Sequence, residues 1–190
     1  MKIITGSAKG KKLVSLEGDA TRPTSERIKE AIFSSIQFDV DSRRVLDLFA
    51  GSGQMGLEAL SRGAQSVMFI DSAMDAMQIV KANAKSTGFF DKCHYLVSDF
   101  RNFARKYAGR EPYDLIFIDP PYALNCATEA VQRLLRAQLI AKGALVILEL
   151  GTEEPDFASE PFLDFEVQKL THYGKKTTVA ILFYRGRTEA

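Results

Sequence analysis

Three glycines with the spacing G-x-G-x-x-G, Gly51, Gly53 and Gly56, follow an apolar segment typical of a β-strand and precede a helical pattern. Glycines allow a sharp turn close to a ligand, and the start of a helix presents unpaired N–H groups. Two acids, Asp71 and Asp99, end the next two predicted strands, where ligands of open parallel sheets bind. Asp71 follows Gly51 by 20 residues, the offset at which an acid reaches ribose hydroxyls, and Asp99 could accept from an adenine amine. The pattern predicts a nucleoside site.

Asp47 lies four residues before Gly51, inside the end of the strand that leads into the glycines. A carboxylate at this point would repel the pyrophosphate of a dinucleotide. It would suit a ligand that carries an ammonium and a sulfonium, which describes S-adenosylmethionine. We therefore predict an S-adenosylmethionine site. Its expected binding residues are Asp47, Phe49, Ala50, Gly51, Gly53, Gly56, Asp71, Asp99 and Phe100.

The tetrad Asp119-Pro120-Pro121-Tyr122 closes another apolar segment, Tyr113–Ile118. The prolines lack an N–H and restrict φ, so the strand must end there and the loop is rigid. Asp119 and the Pro120 carbonyl could accept both N–H bonds of a nucleobase amine, which frees the nitrogen lone pair for a methyl group. Stacking of Tyr122 on the base would contribute about 1–3 kcal/mol. The expected catalytic residues are Asp119, Pro120, Pro121 and Tyr122.

The elements that position these residues alternate between strands and helices, which indicates a parallel α/β sheet. Apolar residues at helical spacing predict helices after Asn125 and from Ala73 to Ala84, the latter ended by Gly88. The five predicted parallel strands are Arg44–Ala50, Ser66–Asp71, Cys93–Ser98, Tyr113–Asp119 and Ala144–Leu150. Two further strands, Phe165–Thr171 and Thr178–Tyr184, are joined by a loop too short for a crossover, so they must pair antiparallel.

The first 43 residues stand outside this alternation. Lys2–Thr5 and Lys11–Ser15 predict a small hairpin, and residues 1–16 carry four lysines and no acid. A helix follows Arg22-Pro23-Thr24, with Thr24 as its cap and a buried stripe formed by Ile28, Ala31, Ile32 and Ile36. We predict two domains, 1–43 as an RNA-contacting hairpin and helix and 44–190 as the catalytic domain.

With these motifs in place, the chain resembles the bacterial small-subunit (16S) rRNA guanine-N2 methyltransferases, a family of class I S-adenosylmethionine-dependent amino-methyltransferases. The resemblance covers nearly the whole length. It is carried by Ile3–Leu13, Arg22–Phe33, Asp47–Gly53, Gly56–Gly63 and the tetrad.

This resemblance implies a Rossmann-like seven-stranded sheet of five parallel strands plus a C-terminal antiparallel hairpin. It also implies cofactor contacts at Asp47, Gly51, Gly53, Asp71 and Asp99, and target-amine contacts at Asp119, Pro120 and Tyr122. The implied substrate is ribosomal RNA or the small ribosomal subunit, modified at the N2 amine of a guanine. The expected RNA-contacting residues are Lys9, Lys11, Lys12, Arg22, Thr24 and Arg27.

Composition narrows the alternatives. The net charge of +1 means that RNA must be held by a local basic patch. Two cysteines and two histidines do not supply a zinc site, and no apolar run is long enough for a membrane span, so we expect a cytoplasmic protein without metal. We favour a monomer, although no residue pattern determines the oligomeric state.

Three other functions are weighed at this stage. One is an RNA-binding module that has lost catalysis, against which the intact Asp119 argues. A DNA adenine-N6 methyltransferase uses a similar tetrad but normally needs a target-recognition region, for which 190 residues leave little space. An NAD-dependent oxidoreductase would explain the glycines and Asp71, but not Asp47 or the tetrad.

Overall fold

The computed structural model describes residues 1–15, 23–121, 126–151 and 154–187, with the backbone alone at 23–25. Within these ranges the chain divides into two compact units, Met1–Asp99 and Phe100–Ala190. No helix in the described ranges combines the length and apolar character needed to cross a bilayer.

In its described residues, the first unit contains three α-helices, one short 3-10 helix (Phe90–Lys92) and three parallel strands. β1 pairs with β2 from Arg44 opposite Ser66 to Asp47 opposite Phe69, and β2 pairs with β3 on its other side. Apolar residues fill both faces of β1 and β2, as expected for strands covered by helices on both sides. The elements are α1 (Pro23–Ser35), β1 (Arg44–Asp47), α2 (Gln54–Ser61), β2 (Ser66–Asp71), α3 (Met74–Thr87) and β3 (Cys93–Val97).

The second unit contains two helices and four strands. β4 and β5 are parallel, whereas β7 pairs antiparallel with both β5 and β6. The elements are α4 (Phe100–Tyr107), β4 (Tyr113–Ile118), α5 (Ala127–Arg136), β5 (Ile140–Leu150), β6 (Phe165–Tyr173) and β7 (Thr177–Tyr184).

The seven strands form one sheet in the order β3-β2-β1-β4-β5-β7-β6. This confirms the predicted fold class, with five parallel strands and an antiparallel pair at the C-terminus. β1 ends at Asp47 and not at Ala50, because Leu48–Ala50 already belong to the glycine turn. β5 begins at Ile140, before the predicted Ala144, because Ile140 pairs with Tyr113.

The N-terminal hairpin, residues 1–15, is present but minimal. Its arms form a single antiparallel bridge between Lys2 and Lys12, with hydrogen bonds from Ile3 N–H to the Lys11 carbonyl and from Leu13 N–H to the Met1 carbonyl. The predicted helix begins at Pro23 and includes Thr24, so the assignment of Thr24 as its cap was wrong. Proline is favoured in the first helical turn because the N–H it lacks would have no partner there.

Candidate cofactor and nucleic-acid site

The turn after β1 is built from glycines in the left-handed region. Gly51 has φ +53° and Gly53 has φ +77°, conformations that L side chains rarely adopt. The turn is closed by a hydrogen bond from Gly53 N–H to the Ala50 carbonyl, 2.6 Å, and Ala50 N–H donates to the Ile70 carbonyl at 2.9 Å. A Cβ on Gly51 would meet nothing within 4 Å, so the space beside this backbone is open to a ligand.

The third glycine of the motif has a different role. Gly56 lies in α2, and a Cβ there would come within 2.4 Å of the Phe69 ring on β2. The absence of a side chain lets α2 approach the sheet and places the start of the helix directly after the turn. This is a packing requirement, which the spacing of the motif alone does not distinguish from a ligand contact.

Asp47 lies under the turn and is 4% exposed. Its Oδ2 accepts a hydrogen bond from the Gly56 N–H at 3.0 Å. Burial raises the pKa of Asp47 to about 7; the Gly56 hydrogen bond opposes this shift, and the nearby Asp71 adds to it. The acid predicted to face a cationic ligand is therefore close to half protonated at neutral pH while no cation is beside it.

Asp71, at the end of β2, stabilises the glycine turn by accepting hydrogen bonds from main-chain N–H groups. Its Oδ2 accepts from Gly51 N–H and its Oδ1 from Ala73 N–H, both at 2.9 Å. A carboxylate has about four lone-pair positions, so half-buried Asp71 keeps acceptor capacity for a ribose hydroxyl. Asp71 and the glycines are thus brought together as predicted, and Asp71 shapes the turn as well.

The remaining predicted cofactor residues are distributed between the two units. Phe49 is half-buried and Ala50 is buried in the first unit, where Asp99 is partly exposed after β3. Phe100 begins α4 of the second unit; its ring is buried, and the Arg101 guanidinium lies over it at 4.5 Å from the ring centroid.

The tetrad follows β4 in the second unit. The strand is buried up to Ile118, after which Asp119 and Pro121 are exposed and Pro120 is buried. The carboxylate and the second proline therefore lie at the surface where the strand ends. Tyr122 lies outside the described residues.

The basic residues predicted to contact RNA are accessible where they are described. Lys9, Lys11 and Lys12 are exposed on the N-terminal hairpin, and Arg27 is exposed on α1. Arg22 lies outside the described residues, and Thr24 is described by its backbone alone.

Two charged residues in the interior were missed by the sequence analysis. Glu58 of α2 is 0% exposed and accepts hydrogen bonds from the Ile4 and Thr5 N–H groups, at 2.7 and 3.0 Å. Lys29 of α1 is 1% exposed; its Nζ donates to the Lys2 carbonyl at 2.7 Å and lies 3.8 Å from Glu58. These hydrogen bonds attach the N-terminal hairpin to α1 and α2. The available signal was a glutamate within the otherwise apolar run of Leu57–Leu60.

The chain is similar to several known proteins. A family described as "Conserved hypothetical protein 95" matches residues 1–182. "Putative rRNA methyltransferase YlbH" of Bacillus subtilis is 35% identical over 187 residues, covering 98% of this chain and 100% of the relative. "Ribosomal RNA small subunit methyltransferase D" of Haemophilus influenzae is 31% identical over 160 residues, covering 82% and 81%. The chain belongs to this family of class I S-adenosylmethionine-dependent methyltransferases.

A solved structure supports the assignment of the chain to this methyltransferase family. "Putative methyltransferase yhhF from Escherichia coli" superimposes with a TM-score of 0.87 at 25% identity, covering 98% of this chain and 99% of the other. The predicted family resemblance is confirmed. The family assignment favours a methyltransferase over the NAD-dependent oxidoreductase.

The glycine turn of the methyltransferase fits a nucleoside cofactor. The open space beside Gly51, the carboxylate of Asp71 at the same turn, and the acid at Asp47 provide room, acceptors and a counter-charge. When bound, S-adenosylmethionine would supply an electrophilic methyl group on its sulfonium, and these residues could hold it.

Proposed function

We propose that this methyltransferase moves a methyl group from S-adenosylmethionine to the exocyclic N2 amine of a guanine in small-subunit (16S) rRNA. The observation that carries the proposal is the exposed Asp119 followed by two prolines at the end of a buried strand. The relatives named as rRNA small-subunit methyltransferases support RNA of the small subunit as the substrate.

The polar contacts to the cofactor are assigned to residues of the first unit. The glycine turn at Gly51 and Gly53 would lie against the cofactor, and Asp71 would accept from its ribose hydroxyls. Asp99 would accept from the adenine amine. Asp47 would face the positive charges, and their approach would favour its ionised form.

Target binding is assigned to the tetrad. The carboxylate of Asp119 and the carbonyl of Pro120 would accept the two N–H bonds of the guanine N2 amine. These two hydrogen bonds would localise the lone pair on the N2 nitrogen, which is otherwise delocalised into the guanine ring. Bound S-adenosylmethionine would supply the methyl group. The Asp119 carboxylate would stabilise the positive charge of the methylated amine until that amine releases a proton to water, which reaches this exposed residue. Tyr122 would stack on the base and offset the few kcal/mol needed to unstack it.

RNA binding is assigned to the N-terminal hairpin and α1. Lys9, Lys11 and Lys12 would neutralise phosphates and release counterions, and Arg27 would add a contact from the helix. Such contacts hold the backbone of the RNA without reading its sequence. The choice of guanine would then depend on the contacts of the tetrad with the base and on the shape of the RNA.

Mass spectrometry of nucleosides tests this proposal directly. The protein is incubated with deuterated-methyl S-adenosylmethionine and with small-subunit RNA that lacks the modification, either naked or in assembled particles. We expect labelled N2-methylguanosine. Label in N6-methyladenosine of DNA would favour the DNA adenine-N6 methyltransferase, and labelling of another RNA nucleoside would contradict the guanine-N2 assignment.

A further inference from the structure

Asn83 of α3 makes hydrogen bonds that join two parts of the first unit. Its side chain is 1% exposed. Its Oδ1 accepts from the Val14 N–H at 2.8 Å, and its Nδ2 donates to the Val14 carbonyl at 2.9 Å. The same Nδ2 donates to the Ser52 carbonyl at 2.9 Å. One buried amide thus links the end of the N-terminal hairpin to the residue between the two left-handed glycines.

A second contact joins the hairpin and the glycine turn independently. The Ser52 hydroxyl lies 3.4 Å from the Met1 sulfur, and the Met1 carbonyl accepts from the Leu13 N–H at 3.0 Å. Both ends of the N-terminal hairpin therefore meet the turn at Ser52. A displacement of the Ser52 backbone would therefore change the contacts of both Met1 and Asn83, and through Asn83 those of Val14.

The rest of the hairpin is attached to α2, which begins directly after the turn. Ser61 Oγ accepts from the Ala8 N–H at 3.0 Å and donates to the Thr5 carbonyl at 2.6 Å. Glu58 accepts from Ile4 and Thr5 as described above. The exposed lysines are therefore carried on a segment with little freedom to move independently of the turn.

We propose that Asn83 is a positioning residue that couples the cofactor turn to the RNA-contacting hairpin, so that each ligand tightens the binding of the other. The inference rests on the proposed function. A cofactor that orders the turn around Ser52 would restrict Val14 through Asn83, and the hairpin would then lose less conformational freedom when RNA binds. Because coupling between two sites is reciprocal, RNA must tighten cofactor binding by the same factor.

Calorimetry with S-adenosylhomocysteine tests the coupling without turnover. Its Kd is measured with and without unmodified small-subunit RNA, for the wild type and for Asn83→Ala. We expect RNA to tighten binding by about fivefold or more in the wild type and by less than about twofold in the variant. Thr87→Val is the matched control. Among the described residues, this buried hydroxyl donates to the main-chain carbonyls of Asn83 and Ala84 within α3 and to no group of the hairpin or the glycine turn. Equal coupling in Asn83→Ala and the wild type would overturn the proposal, as would equal loss in Thr87→Val.

A second pair of variants leaves the interior intact if Asn83→Ala does not fold. Val14→Pro removes the N–H that donates a hydrogen bond to Asn83 Oδ1. Because the Val14 side chain is 59% exposed, this substitution leaves no cavity in the core. Val14→Ala keeps that N–H. We expect reduced coupling in the proline variant alone; the same coupling in both variants would overturn the proposal.

The result also separates this inference from the proposed function. Guanine methylation with no effect of RNA on S-adenosylhomocysteine binding would overturn the coupling alone. Coupled binding without methylation of guanine would overturn the proposed reaction alone.

Discussion

The Asp47 carboxylate accepts a hydrogen bond from the Gly56 N–H at 3.0 Å, nine residues further along the chain. This contact ties the end of β1 to the first turn of α2, across the glycine turn between them. The partial positive charge at a helix start favours an anion, but burial of Asp47 opposes its ionisation and the second effect is larger. Asp47 is thus a destabilising charge in the free protein at neutral pH.

The first prediction concerns the pH dependence of stability. The folded protein holds a proton on Asp47 up to about pH 7, whereas the unfolded chain releases it near pH 3.8. The unfolded state therefore binds fewer protons between these values, so the contribution of Asp47 to the free energy of unfolding falls as pH rises through this window. The difference is on the order of 4 kcal/mol. We expect Asp47→Asn to remove this fall in urea titrations at pH 4.5 and 8.

The control for this experiment is Asp39→Asn, which changes the same charge at an exposed position of the first unit. It should keep the wild-type pH dependence. Parallel pH profiles for wild type and Asp47→Asn would contradict the role of Asp47.

The second prediction concerns Asp119. Asp119→Ala should lower kcat by on the order of 10²–10⁴-fold, because one of the two proposed acceptors for the target amine is lost. Affinity for S-adenosylhomocysteine should change by less than about threefold, since no cofactor contact is assigned to Asp119. Single-turnover methylation and calorimetry measure the two quantities.

Asp114→Asn is a control for general damage to β4, since this half-buried acid lies on the same strand. It should retain most of the activity. A large loss of cofactor affinity in Asp119→Ala would remove the proposed role of this carboxylate.

The third prediction concerns the lysines of the N-terminal hairpin. Replacing Lys9, Lys11 and Lys12 by Ala should weaken RNA binding and reduce its salt dependence. Each phosphate contact with single-stranded nucleic acid contributes about 0.7 to the slope of log K against log salt concentration, so the slope should fall by about 2. Fluorescence anisotropy between 50 and 200 mM salt measures it.

The matched control removes the same charge elsewhere. Lys169, Lys175 and Lys176 are exposed on β6 and on the turn after it. Their replacement by Ala should alter the slope much less. Equal changes of the slope in both triple variants would indicate a general effect of net charge. That result would contradict RNA binding by the lysines of the N-terminal hairpin.

The strands were predictable from sequence because strands buried on both faces are almost continuously apolar. Ser66–Asp71 is reproduced residue for residue as β2. The helix over Ala73–Ala84 is similarly confirmed, including its end at Gly88, which has φ +83°. The glycine turn was predictable because the G-x-G-x-x-G spacing lies between a strand and a helix. The position of Asp71 beside it was predictable because neighbouring parallel strands end at the same edge of a sheet.

The buried polar residues were not predictable from spacing. The partners of Glu58, Lys29 and Asn83 lie 54, 27 and 69 residues away in the chain. No local periodicity reports such pairings, because a polar residue is buried only where distant groups satisfy it. The attachment of the hairpin to the glycine turn therefore emerged from the structure alone.

The fourth prediction concerns the ion pair of Glu58 with Lys29. Glu58→Gln leaves the Lys29 ammonium buried without its counter-charge, and breaking such a pair typically costs 3–5 kcal/mol, about the loss we expect. Burial already lowers the pKa of Lys29, which Glu58 opposes. Lys29→Met leaves Glu58 with the Arg62 guanidinium at 2.8 Å, so its cost should be smaller.

A double-mutant cycle identifies the pair. The variant with both changes should lose less stability than the sum of the single losses, because neither charge is then left alone. Additive losses in urea denaturation would mean that the two charges act independently within the interior.

The last prediction concerns Gly56. The sign of the change in the free energy of unfolding on Gly56→Ala shows whether helix propensity or overpacking is the larger effect. In a helix without tertiary constraints, Gly→Ala stabilises by about 1 kcal/mol, because alanine loses less backbone freedom on folding. Here the added Cβ would come within 2.4 Å of the Phe69 ring, and overpacking of this kind typically costs 1–3 kcal/mol. We expect a net destabilisation in urea titrations. In a Phe69→Leu background the ring is gone but Val67 Cγ1 still lies within 2.7 Å of the added Cβ, so the same substitution should cost less than it does in the wild type. If Gly56→Ala stabilised the wild type, the close packing of α2 on β2 could not be the reason for glycine at this position, and a direct ligand contact would be the better explanation of the third glycine.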